Sequence, residues 1–109
     1  MPDLKAAPLA RVLVVDDEPG LLAALCEILT TEGYAALGVR SGPEALDALR
    51  AAMPEAARRF DVLITDLKMP GMDGIDLLHA ARQIDADLVS VIMTGHGTID
   101  TAVQALRGG

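Results

Sequence analysis

Three apolar runs of similar length recur along this chain, and each stops on a polar residue. Val12-Leu13-Val14-Val15 runs into Asp16-Asp17, Val62-Leu63-Ile64-Thr65 into Asp66, and Leu88-Val89-Ser90-Val91-Ile92-Met93 into Thr94. Continuous runs of this length, bounded by turn residues, predict strands buried on both faces. With a short strand over 34–39, the predicted strands are 11–15, 34–39, 61–65 and 88–93. Between them the apolar positions change to helical spacing. Leu21, Leu22, Leu25, Ile28 and Leu29 follow Pro19; Ala45, Leu46 and Leu49 follow a capping box at Ser41 and Glu44; Ile75, Leu78 and Ala81 follow a capping Asp73; Ile99, Val103 and Leu106 follow Thr98. Gly33 and Gly108-Gly109 supply stops, Pro54 should end or kink the second helix, and 55–59 forms a further turn. Residues 1–10 contain two prolines and no periodicity, and read as a flexible lead-in. Strands alternating with helices predict an α/β fold with a parallel sheet and right-handed crossovers.

The strand ends carry the candidate chemistry. Ligands bind at the carboxyl edge of open α/β sheets, which is where Asp66 is held. If the first and third strands are neighbours, Asp16, Asp17 and Asp66 meet there. Like charges at such a distance raise one another's pKa unless something offsets them, and Mg²⁺ is the natural remedy because it takes oxygen ligands and keeps several waters. A carboxylate beside such a cation is a competent nucleophile toward phosphorus, and Thr94 could donate its hydroxyl to a phosphoryl oxygen. Plainer roles stand beside these: Asp16 or Asp17 as a helix cap, Asp66 as a loop acid, Thr94 bonded to its own loop. His96 has no second His or Cys at metal spacing, His79 reads as surface, and Met69 and Met72 read as packing or loop residues.

Composition narrows the picture. At 109 residues the chain is the size of one domain, and with 51% hydrophobic but 2% aromatic residues its core must be aliphatic. A net charge of −7 without any Lys/Arg run speaks against direct nucleic-acid binding and for cations and basic protein surfaces. Cys26 is the only cysteine, so no intramolecular disulfide can form. With no secretory signal and no bilayer-length apolar run, the expectation is a cytoplasmic protein without membrane contact.

Taken together, Val14 to Pro19, Thr65 to Gly74 and Met93 to Gly97 resemble the receiver domain of two-component response regulators, a likeness that runs from Arg11 to Gly109. The resemblance implies a flavodoxin-like three-layer sandwich with strand order 2-1-3-4(-5). It implies that Asp66 accepts a phosphoryl group from a phosphohistidine. Asp17, Asp66 and the Lys68 carbonyl would hold Mg²⁺ directly, Asp16 would act through water, and Thr94 would be the switch hydroxyl. Pro70 and Gly74 would shape the loop. The implied partners are a sensor histidine kinase or phosphotransfer protein and an output domain or protein, transcriptional in regulators of the enhancer-binding type, with a homodimer as a further option; hybrid kinases carry similar receivers. Such a domain is a switch that catalyses only its own phosphorylation and dephosphorylation.

Two departures from the family pattern stand out. The expected fifth strand and helix are lacking, together with the lysine that precedes that helix, since the only lysines are Lys5 and Lys68; the receiver domain is thus expected over 11–109, C-terminally incomplete. Residues 51–59 read as a surface insertion. The absent lysine speaks for a receiver-like docking module that works without productive phosphorylation; the complete acid cluster speaks against it. A haloacid-dehalogenase-like hydrolase would want an acid where Lys68 stands, and a flavin site would want a phosphate-binding loop after the first strand.

Overall fold

The computed structural model describes residues 7–93. The expected last helix after Thr98, the Gly108-Gly109 stop and residues 1–6 of the lead-in lie outside that range. The elements in order are β1 (Arg11–Val15), α1 (Pro19–Thr31), β2 (Ala35–Val39), α2 (Gly42–Ala52), a short 3₁₀ turn (Ala56–Arg58), β3 (Val62–Asp66), α3 (Gly74–Ile84) and β4 (Val89–Met93). The strands form one parallel sheet in the order β2-β1-β3-β4, the flavodoxin-like arrangement that the resemblance implied.

The period of two along a strand divides the core in two. Val12, Val14, Val62 and Ile64 face α1 and pack with Leu22, Leu25 and Leu29. Leu13, Val15 and Leu63 face the other way and pack with Ala45, Leu46 and Leu49 of α2 and Leu77 and Ala81 of α3. Among the described residues, one helix on one face and two on the other make the three layers, and β1 and β3 are buried from both sides as expected. The fourth strand departs from that expectation: among the described residues it pairs with β3 alone, and Val89 is 59% exposed.

Local chemistry explains the helix ends. Ser41 caps α2, its Oγ accepting from the Glu44 N–H at 3.3 Å, while Glu44 reaches back to the Arg40 N–H, one residue earlier than in the usual capping box. Met53 ends α2 just before Pro54, as the missing N–H of proline requires. Gly33 turns the chain out of α1 with φ near +99°, a conformation that costs other residues dearly.

The inner faces of two helices differ from the sequence reading. In α1, Leu22, Leu25 and Leu29 are buried while Leu21 and Ile28 are exposed. In α3 the buried positions are Gly74, Leu77 and Ala81, whereas Ile75 is 47% exposed and Leu78 half-buried. The reason is rotational. The close seating of Gly74 against the end of β3 sets which side of α3 faces the sheet, and the 3.6-residue period then carries Leu77 and Ala81 inward.

Leu77→Ala should therefore cost about 2–5 kcal/mol of stability and Ile75→Ala less than about 1 kcal/mol, read from urea unfolding midpoints. The opposite order would show that α3 is rotated.

Candidate metal centre

The site is built by strand register. Val15 of β1 pairs with Thr65 of β3, so both strands run out onto an acid at the same level of the sheet. Asp16, Asp17 and Asp66 then present carboxylate oxygens that all lie within 4.8 Å of one another. The sequence reading that these three meet is met by the structure.

The environments of the three differ. Asp16 is 2% exposed, whereas Asp17 and Asp66 are half-buried and open to the carboxyl edge of the sheet. Asp16 is pinned by its backbone N–H, which donates to the Val39 carbonyl at 3.1 Å. Its Oδ1 accepts from the Glu18 N–H at 2.9 Å, but its buried Oδ2 has no hydrogen-bond partner among the described residues. Burial raises the Asp16 carboxyl above the usual carboxylate range; the Glu18 N–H works against this, and the charges of Asp66, Asp17 and Glu18 add to the rise. A buried carboxylate oxygen without a donor, inside a group of acids, has the chemistry that a cation satisfies. Hard oxygen donors on an open edge suit a small divalent ion that keeps part of its water, so the residues present fit Mg²⁺.

Capping of α1 falls to another acid. The Glu18 carboxylate accepts from the N–H groups of Gly20 at 3.1 Å and Leu21 at 2.7 Å, with Pro19 in the first helical position. Asp16 and Asp17 are thereby released from that duty. The sequence reading offered Asp16 or Asp17 for the cap; the place of Glu18 immediately before Pro19 was the available signal.

Asp66 leads into a loop anchored at three points. Met69 is buried in the core shared by α2 and α3, and Met72 packs at its margin. Gly74 closes the loop: its N–H donates to the Leu67 carbonyl at 2.8 Å, and a Cβ there would lie 2.5 Å from the Asp66 carbonyl oxygen. The same carbonyl accepts from Thr65 Oγ1 at 2.9 Å. Asp73 caps α3 through the Asp76 N–H at 2.8 Å. Lys68 is exposed, and its carbonyl accepts no hydrogen bond from a described residue, which leaves it available to a ligand. One further residue, without a signal in the sequence, reaches this edge: Arg40 donates to the Asp17 carbonyl at 3.3 Å. Thr94 and His96 lie outside the described residues. Of the remaining sequence candidates, His79 is exposed, and Cys26 is a free, half-buried thiol beside the α1 cluster.

Comparison with known proteins identifies the family. The family model for the response regulator receiver domain matches residues 12–109. The chain is 38% identical over 100 residues to the transcriptional regulatory protein GlrR of Escherichia coli, covering 92% of this chain and 21% of that protein, so it spans about a fifth of that relative. It is 36% identical over 90 residues to sporulation initiation phosphotransferase F of Bacillus subtilis, covering 83% of this chain and 68% of the relative. Its structure is similar to that of the response regulator protein TrrA of Thermotoga maritima in complex with Mg²⁺–BeF, with a TM-score of 0.69, 32% identity, and coverage of 79% of this chain and 70% of the other.

Two outcomes test the site. Asp16→Asn should stabilise the metal-free chain at neutral pH by on the order of 1 kcal/mol, roughly 4–8 °C in melting temperature, because an amide can donate to the neighbouring carboxylates. A carboxyl whose folded pKa is raised destabilises the fold above that pKa and not below its unfolded value. The gain should therefore shrink as pH falls to the ordinary carboxylate range, as thermal melts across pH would record. Gly74→Ala should cost about 1–3 kcal/mol, read by urea unfolding, because the added methyl meets the Asp66 backbone.

Proposed function

Because this chain belongs to the response regulator receiver domain family, we propose that Asp66 accepts a phosphoryl group from a phosphohistidine and that Asp16, Asp17, Asp66 and the Lys68 carbonyl hold Mg²⁺ for the transfer. Receiver domains are signalling switches of two-component systems, and this one is such a domain. The observation that supports the residue assignment is the convergence of three carboxylates at one sheet edge, one of which, Asp16, has a buried oxygen without a partner among the described residues.

The chemistry asks little of the protein beyond position and charge. Asp66 stands at the end of a rigid, buried strand, so its carboxylate is presented at the open edge with little freedom to lose. One of its oxygens attacks phosphorus; the O–P bond forms as the N–P bond of the phosphohistidine breaks, and the imidazole leaves with the electron pair. The cation, when bound, neutralises charge on the carboxylates and on the phosphoryl oxygens. Asp16 is too deeply buried to be the acceptor, and its role is to hold the ion, directly or through water. Met93 pairs with Asp66, and Thr94 is the next residue in the chain, which supports its assignment as the hydroxyl that responds to the phosphoryl group.

The donor in this reading is a sensor histidine kinase or a phosphotransfer protein. The output is a domain or protein under control of the phosphorylated surface, transcriptional by analogy with the GlrR relative. Such partners go with a cytoplasmic location. Among the described residues, no helix is long and apolar enough to cross a membrane.

Incubation with Mg²⁺ and acetyl phosphate, followed by intact-mass spectrometry, should show a gain of one phosphoryl group. Asp66→Asn, or removal of Mg²⁺ with a chelator, should abolish the gain. A chain shown by circular dichroism to be folded that gains nothing overturns the proposal, as does a gain that survives Asp66→Asn.

A further inference from the structure

We propose that the cleft at the other end of the sheet binds a small organic anion with a flat apolar body. The cleft lies between β2, α2 and the segment that carries the 3₁₀ turn, and its volume is about 320 Å³. That is within the range of small-molecule sites. Leu37, Ala48, Ala52 and Phe60 supply an apolar lining, and Arg11 and Arg58 bring two guanidinium groups to it. Leu37 is 46% exposed, the largest apolar side chain that β2 leaves to solvent.

The cleft is pre-formed. The Arg11 guanidinium stacks over the Phe60 ring, 5.2 Å from its centre, and its Nε donates to the Arg58 carbonyl at 3.0 Å. Arg59 Nε donates to the Met53 carbonyl at 2.8 Å, tying the segment after the 3₁₀ turn back to the end of α2. The Arg11 N–H donates to the Asp61 carboxylate at 2.8 Å, and the Asp61 N–H donates to the Arg11 carbonyl at 2.8 Å. These bonds fix the wall without using the terminal nitrogens of Arg11 or any nitrogen of the Arg58 guanidinium. Neither arginine has a carboxylate partner among the described residues, where the one ion pair is Arg50 with Asp47. Guanidinium groups whose terminal nitrogens have no acceptor among the described residues, beside an apolar surface, match a single carboxylate on a flat ring system.

The charge of the whole chain narrows the class. At −7, the protein repels polyanions at a distance, so nucleic acid and long acidic segments are disfavoured. A ligand with one negative charge meets two guanidinium groups in the cleft, against the one carboxylate of Asp61, which is already engaged by the Arg11 N–H. The Asp16, Asp17 and Asp66 cluster stands roughly 16 Å away along β1, so the cleft is independent of the phosphoacceptor reading.

The test is a titration of the full chain with 2-naphthoate, followed by amide shifts in ¹H–¹⁵N spectra, beside the neutral 2-naphthylmethanol. Saturable shifts at Leu37, Ala48, Ala52 and Phe60 are expected, with binding about ten-fold weaker for the alcohol and for Arg58→Gln. Arg58 is exposed, so that variant should keep the native spectrum and the Asp66-dependent mass gain. No saturable shifts, equal binding of the alcohol, or unchanged affinity in Arg58→Gln would overturn the proposal. Tighter binding of a hexaglutamate peptide at the same residues would overturn it too, in favour of an acidic protein segment.

Discussion

Parallel pairing of β1 with β3 is the constraint on which the rest of this molecule depends. The pair is buried on both faces, so neither strand can slip by a residue without turning its Val, Leu and Ile side chains to the wrong helices. That rigidity delivers Asp16 and Asp66 to the same edge at the same height. Hydrophobic burial thus supplies the work of holding like charges together. In water these carboxylates would drift apart; at the end of two packed strands they cannot, and the unmet demand appears as the lone Oδ2 of Asp16.

The helix termini complete what the strands begin. Glu18 takes the α1 cap and leaves the neighbouring acids free, Asp73 takes the α3 cap, and Gly74 lets the start of α3 come against the Asp66 backbone. The acid cluster and the Arg11–Arg58 cleft are built by opposite ends of the same central strand. The sheet therefore presents an edge suited to a cation at one end and a basic, apolar recess at the other, in a chain whose net charge is strongly negative.

Much of this was legible beforehand because it is local. Apolar runs marked β1 and β3, the Ser41–Glu44 spacing marked the start of α2, and Pro54 marked its end. Asp66 stood out because an apolar run ended on it before a loop rich in Pro and Gly. The misplaced positions share a cause. Ile75 and Leu78 fit a helical period as well as Leu77 does, and only the docking of Gly74 on β3 chooses among them. Glu18 differs from Asp16 and Asp17 in the sequence only by its place immediately before Pro19, and the direction the backbone takes after Val15 is what turns that place into the cap.

By itself the sequence determined the elements, their order and the residues bearing reactive groups, since periodicity, capping and chain breaks act over a few residues. Tertiary structure decided which groups meet. It brought Asp17 and Asp66 together from positions far apart in the chain, buried one oxygen of Asp16 without a partner, carried Arg40 to the Asp17 carbonyl, and closed Arg11 over Phe60 beside Arg58. The physical reason is that these contacts follow from strand register and the packing of helices on a sheet, which are properties of the whole core and of no single stretch of it.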